Sequence, residues 1–193
     1  MKKTALFLVL LITQLASCQT IMPLSTLNPP YNSYLKDLDN TFLPYLGTWE
    51  GILNNKKYTF IFTKFAQHQS AAYSTEYMFY QDELKAKFKV TDLATGNVIY
   101  DNTSAINYDD YMIQGTDPST ARGICVFFFT DTDANCRNKM EFTLMNIRGQ
   151  PNQLKYCYFE YTDSWSGFEC TNYPNRMDIP VFLPKEELIL TKI

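Results

Sequence analysis

Apolar and polar residues alternate along most of this chain, and the alternation has a period of two. In Lys57–Phe65, Tyr58, Phe60 and Phe62 fall on one face, with Thr59, Ile61 and Thr63 on the other. Leu84–Thr91 alternates most cleanly, with Leu84, Ala86, Phe88 and Val90 on one side and Lys85, Lys87 and Lys89 on the other. One dry face and one wet face is the pattern of an antiparallel sheet covered on one side only. Thr95-Gly96-Asn97 has turn chemistry and predicts a hairpin into Val98–Tyr100. Gly123–Thr130, Met140–Ile147 and Leu154–Tyr161 read as further strands, separated by turns at Asp131–Asn138 and Gly149–Asn152. Tyr73–Tyr80, Tyr108–Gln114 and Glu187–Lys192 complete the set. About nine or ten short strands at such spacing predict an all-β barrel built as an antiparallel meander, or alternatively a β-sandwich. Before them, Tyr34–Asp39 predicts one helical turn, and Asp39 or Asn40 would cap a second turn ahead of Pro44.

The N-terminus departs from this pattern. Met1-Lys2-Lys3 is a short positive region, and an apolar run from Ala5 to Leu15 follows it. As a helix such a run spans roughly 16 Å, about half the hydrocarbon thickness of a bilayer, so it is too short to cross one. It has the form of a secretion signal ending at Leu15-Ala16-Ser17-Cys18. That tetrapeptide resembles the lipobox of bacterial lipoproteins: an aliphatic residue, two small residues that admit the peptidase, and a cysteine whose thiolate attacks the lipid donor. The resemblance implies that residues 1–17 are removed. Cys18 would then carry a diacylglyceryl thioether and an N-acyl chain such as palmitate, and several chains together anchor almost irreversibly. Gln19 and Thr20 follow, with no Asp in the position that retains lipoproteins at the inner membrane of some bacteria, which points to the outer membrane. Residues 18–33 carry three prolines and no periodicity, and read as a lipidated tether. Residues 34–193 then form a single barrel domain.

Composition sharpens the strand reading. The 14 Tyr and 14 Phe against 7 Gly favour strands, and 46% apolar residues suffice for a core. The net charge of −3 becomes −5 once Lys2 and Lys3 leave with the signal, which argues against a nucleic-acid partner.

The stretch Phe42-Leu43-Pro44-Tyr45-Leu46-Gly47-Thr48-Trp49-Glu50-Gly51 resembles the opening of the calycin β-barrels, the lipocalins and fatty-acid-binding proteins. There a short turn leads into Gly-x-Trp on the first strand. The resemblance implies that Trp49 plugs the closed end of the barrel. The chain departs from the lipocalin pattern twice: Thr162-Asp163 is followed by Ser164, where lipocalins have Tyr, and no late arginine is clearly placed to stack on the tryptophan, Arg176 being the candidate. Over nearly its full length the chain also resembles a family of small, functionally uncharacterised bacterial lipoproteins. It shares their lipobox, their Gly-Thr-Trp-Glu-Gly-like start and a hairpin like Val90–Asp101, and this likeness transfers no activity.

Four cysteines remain besides Cys18, an even number in an exported domain. Three pairings are possible. Strand positions favour Cys136 with Cys170, both in loops at one end of the sheet, closing a loop of about 35 residues that is worth roughly 3–4 kcal/mol. Cys125 and Cys157 lie inside strands and either pair or stay as thiols.

Catalytic signals are sparse. His68 is the only histidine, so any Ser-His-Asp triad or zinc site would need it, and it reads as part of a polar loop, Ala66–Ser70. Asp131-x-Asp133-x-Asn135 begins like a calcium loop, but Cys136 stands where Gly is needed and Phe142 where the bidentate Glu is needed. Asp109 and Asp110, adjacent on a strand, would point to opposite faces. The expectation is therefore a non-enzymatic envelope protein without metal or cofactor. It would hold a small apolar ligand, with Trp49, Tyr58, Phe60 and Phe62 as candidate lining. The alternative is an interaction subunit that docks an envelope protein through Trp165, Phe168 and Tyr173.

Overall fold

The computed structural model describes residues 19–70, 78–116, 123–130, 139–159 and 180–193. Their strands are β1 (Ile21–Pro23), β2 (Tyr34–Lys36), β3 (Gly47–Leu53), β4 (Lys56–Gln69), β5 (Tyr80–Asp92), β6 (Val98–Asp101), β7 (Ile113–Gly115), β8 (Ile124–Thr130), β9 (Lys139–Ile147), β10 (Gln150–Phe159) and β11 (Leu188–Lys192). Strands β3 to β5 and β7 to β11 close into an eight-stranded antiparallel barrel. β11 returns to β3 at Thr191↔Glu50 and Lys192↔Trp49, and β5 meets β7 at Lys85↔Gln114 and Ala86↔Ile113. Strand order around the barrel follows chain order, so the all-β meander is what the alternation predicts, closed rather than stacked as a sandwich.

Closure follows from the period of two. Every second residue points inward, and an eight-stranded barrel is just wide enough for side chains to fill. Trp49, Phe60, Phe88, Phe127, Phe142 and Tyr156 are fully or almost fully buried there. The five phenylalanine and tyrosine rings form a continuous stack, with Phe60 5.8 Å from Phe88, Phe60 6.1 Å from Tyr156, Phe142 4.9 Å from Tyr156 and Phe127 5.1 Å from Phe142. Burying such a side chain stabilises by roughly 1.5–3 kcal/mol, so this column is the main support of the fold.

The Gly-x-Trp start has a physical reason. Gly47 has φ +106°, which disfavours any side chain, and a Cβ there would meet Lys192 Cε at 3.1 Å. The Lys192 stem lies across this spot and sets its ammonium over the Trp49 ring, 5.3 Å from the centroid. The cation on the tryptophan is thus a lysine of the last strand; Arg176 lies outside the described residues. Trp49 Nε1 donates to the Tyr45 carbonyl oxygen at 2.7 Å, and Phe42 and Tyr45 cover this end of the barrel.

Gly51 sits on the seam where β3 meets β11. A Cβ at Gly51 would lie 2.8 Å from the Ile189 carbonyl oxygen and 2.9 Å from Leu188 side-chain atoms. Backbone cannot move aside cheaply, so Gly51→Ala is expected to destabilise the domain by about 1–3 kcal/mol, read from the urea midpoint at unchanged m-value.

Several local expectations are corrected. Tyr34–Asp39 is not a helical turn, because Tyr34–Lys36 is β2, parallel to β5 at Tyr34↔Tyr80. Residues 19–33 are not a free tether, because Ile21–Pro23 is β1, parallel to β2 at Ile21↔Tyr34. The cap ahead of Pro44 is Asp37 rather than Asp39 or Asn40: its carboxylate accepts from Thr41 N at 2.6 Å, from the Thr41 hydroxyl and from Phe42 N. Tyr108–Gln114 is not one strand, since Tyr108–Asp110 is a 3-10 turn and only Ile113–Gly115 is extended. Ala66–Gln69 is not a loop but the end of β4, beyond a bulge at Gln67, where φ is +53°. β5 begins at Tyr80, and most of the expected strand Tyr73–Tyr80 lies outside the described residues.

Candidate functional site

Strand β5 changes partners beside Asp82 and Glu83. β7 pairs with β5 only through Lys85 and Ala86, while β2 takes the edge of β5 at Tyr80 and Gln81. Between these pairings Asp82 and Glu83 face Gly115 and Thr116 across a slot of about 430 Å³, within the size range of small-molecule sites. Leu24 and Phe42 from the N-terminal segment and Phe128 from β8 give it apolar walls, and Gln81, Gln114 and Thr130 add polar ones.

Asp82 occupies an inward position in the Leu84, Ala86, Phe88 row. It is buried, and its carboxylate is fully engaged. It accepts from the Tyr34 hydroxyl, from Asp37 N at 3.1 Å and from Gln67 N at 3.2 Å, and it pairs with Lys64 Nζ at 2.7 Å. Lys64 also reaches Asp37 at 3.5 Å. Burial would raise the Asp82 pKa; the bonds from Lys64, Tyr34 and the two backbone amides outweigh it and hold the carboxyl below its ordinary value. Burial and the neighbouring Asp82 carboxylate push the Tyr34 phenol up to about 12. This cluster clasps β2, and with it the segment that lines the slot, onto the barrel.

Glu83 points outward, yet it is buried beneath the excursion formed by residues 102–112. It accepts from the Tyr108 hydroxyl, from Gln114 Nε2 at 3.2 Å and from Gln81 Nε2 at 2.9 Å. Each glutamine keeps an amide oxygen as an acceptor once its NH₂ is committed to Glu83. Tyr108 is sandwiched: the His68 ring stacks on it at 3.3 Å between centroids, and Lys85 Nζ lies 3.5 Å from the ring centroid. Lys85 Nζ also donates to the Tyr108 carbonyl oxygen at 3.0 Å, and burial is the main cause lowering its pKa. Burial and the Glu83 carboxylate push the Tyr108 phenol upward, so it stays a donor. His68 is therefore a packing partner of Tyr108 rather than a loop residue.

The expected site residues fall elsewhere. Tyr58, Phe60 and Phe62 share one face as their alternation predicts, and Trp49 joins them from β3 opposite Phe60; all four are packed core, between 0% and 5% exposed. Cys125 and Cys157 cannot bridge each other. Cys125 aligns with Leu144 on the inward row, Cys157 aligns with Thr143 on the outward one, and β9 lies between them. The Cys125 thiol contacts the Thr116 carbonyl oxygen at 3.3 Å and the Cys157 thiol contacts Glu187 at 3.8 Å. No disulfide forms among the described residues. Cys18, Cys136, Cys170, Asp131–Asn135, Trp165, Phe168 and Tyr173 lie outside them. Asp109 and Asp110 are exposed on the 3-10 turn, where Asp110 accepts from Asn107. Among the described residues no group of three His, Cys, Asp or Glu could hold a metal, and no helix is long and apolar enough to cross a membrane.

Compared with protein families, curated proteins and solved structures, the chain matches none.

Residues 81–83 carried one signal for the slot. An acid at position 82, in register with a run of apolar inward residues, marks a buried charge that needs partners. The partners themselves lie 15 to 48 residues away.

Proposed function

We propose that this protein is a lipid-anchored, non-enzymatic binding domain of the bacterial cell envelope, held to the outer membrane through Cys18. Its ligand is a small, largely apolar molecule with a hydrogen-bond-donating end, seated in the slot between β5 and β7 rather than in the barrel interior. The observation that carries this reading is the slot itself: the apolar side chains of Leu24, Phe42 and Phe128 beside Gln81 and Gln114, whose amide oxygens remain as acceptors. The aromatic column already fills the interior, so a lumen ligand would have to displace rings that pack on one another.

The electrostatics favour holding over converting. Lys64, Tyr34 and two backbone amides hold the Asp82 carboxyl below its ordinary value, away from the neutral range in which an acid–base group works, and Glu83 is engaged by three donors.

Two measurements test the proposal. Radiolabelled palmitate is expected to mark the wild type and not Cys18→Ser. Native mass spectrometry of protein extracted from producing cells is expected to show a bound small molecule that is lost in Thr116→Trp, which fills the slot. Absence of an adduct in the wild type, or its retention in Thr116→Trp, would overturn the slot as the binding site.

A further inference from the structure

The anchor and the fold are joined almost without slack. Only Gln19 and Thr20 separate Cys18 from β1. Gln19 Oε1 accepts from Gln67 Nε2 on β4 at 2.7 Å, and the Thr20 carbonyl oxygen accepts from Tyr34 N at 2.8 Å. Successive Cα atoms are about 3.8 Å apart, so a lipid on Cys18 begins one residue from a side chain bonded to the barrel. Such a body cannot float above the bilayer on a flexible leash.

The segment that follows the anchor carries an unusual surface. Ile21 is 55% exposed, Leu27 88%, Tyr31 61%, Leu38 51% and Leu43 62%. All five belong to the chain between the anchor and β3, which β1 and β2 fasten to the start of β5. The ionisable groups among residues 19–43 other than tyrosines are Lys36, Asp37 and Asp39, and Asp37 is buried against Lys64, so the exposed surface has no net charge to resist an anionic membrane.

We propose that Ile21, Leu27, Tyr31, Leu38 and Leu43 form a membrane-seated face, which lays the anchored end of the barrel against the lipid headgroups. Apolar side chains beside an acyl anchor add to its hold, and tyrosine is a residue of the membrane interface. The proposal rests on the anchor at Cys18 and deepens it. It also sets the orientation: the end carrying the β5–β6 hairpin points away from the membrane, and the slot, which Leu24 and Phe42 line, lies close to the lipid.

The test uses the full chain, purified after palmitate labelling and reconstituted into phosphatidylcholine vesicles with bromine in the upper acyl chain. Leu27→Trp, Leu43→Trp and, at the far end, Val98→Trp are compared with the parent, whose own tryptophans supply the background. All three positions are exposed, so the fold tolerates the substitutions. The emission added at positions 27 and 43 is expected to be quenched about twofold or more, because interfacial side chains sit ~5–10 Å into the headgroup and acyl boundary, while that at 98 is not. Labelled protein with no quenching at 27 and 43, or with quenching at 98 instead, overturns the membrane-seated face and leaves the anchor intact. Unlabelled protein without quenching overturns both. Unlabelled protein quenched at 27 and 43 supports the face and removes the anchor.

Discussion

Trp49→Ala is expected to destabilise the domain by about 3–5 kcal/mol, a large part of the ~5–15 kcal/mol available to a domain of this size. The residue is fully buried at the point where β3 meets β11, and it closes one end of the barrel. Truncation removes the indole from the buried core, takes the donor from the Tyr45 carbonyl oxygen and strips the Lys192 ammonium of its ring. Trp49→Phe keeps an aromatic ring but not the donor, and is expected to lose less. Urea unfolding followed by far-ultraviolet circular dichroism measures both. A loss below about 1 kcal/mol for the alanine variant would mean that the barrel end closes without this plug.

Lys64→Met is the second large effect, expected at about 3–5 kcal/mol near neutral pH. The methionine retains the apolar stem, but the carboxylates of Asp37 and Asp82, both buried, lose their shared cation. The pH dependence separates this charge effect from lost packing. In the wild type, Asp82 is held below its ordinary value, so its contribution is present above the unfolded carboxylate range and is lost as pH falls through the folded value. In Lys64→Met the largest of the influences that lower it is gone, so the variant's stability falls less on acidification. The gap between the two proteins is expected to narrow from pH 7 towards pH 3, and a constant gap would assign the loss to packing alone. Tyr34 acts in the opposite sense. With its pKa raised to about 12, the stability it lends is complete below its ordinary value near 10 and is lost as pH rises towards 12. The clasp is therefore strongest between these two ranges.

The legible part of the fold was the part governed by local alternation. Tyr58, Phe60 and Phe62, or Leu84, Ala86, Phe88 and Val90, declare their shared face because a strand turns each residue over and the dry side must be covered. Why Gly stands at position 47 was not legible, since φ +106° and the crossing Lys192 stem appear only in the folded chain. What misled were residues whose partners are remote. Lys85 reads as a wet position and is buried, because Tyr108 and the excursion of residues 102–112 fold over it. Residues 19–36 read as helix turn and tether because they contain prolines and short polar stretches. They become strands because Asp82 and Lys64 reach across from β5 and β4 to Tyr34 and Asp37.

The candidate site shows the same division. Aromatic residues on one strand face are equally suited to line a cavity or to fill it, and side-chain volume in the closed barrel decided that they fill it. The slot depends on β5 exchanging one neighbour for another between Gln81 and Lys85, a property of two pairings and not of either segment.

By itself the sequence determined the all-β class, most of the barrel strands and their inward faces, because each follows from residues close together in the chain. Only the tertiary structure decided that the sheet closes, that Phe60, Phe88, Phe127, Phe142 and Tyr156 pack on one another inside it, and that the N-terminal segment is clasped to the wall beside an open slot. Those outcomes turn on contacts between residues far apart in sequence, whose free energy exists only once the barrel has brought them together.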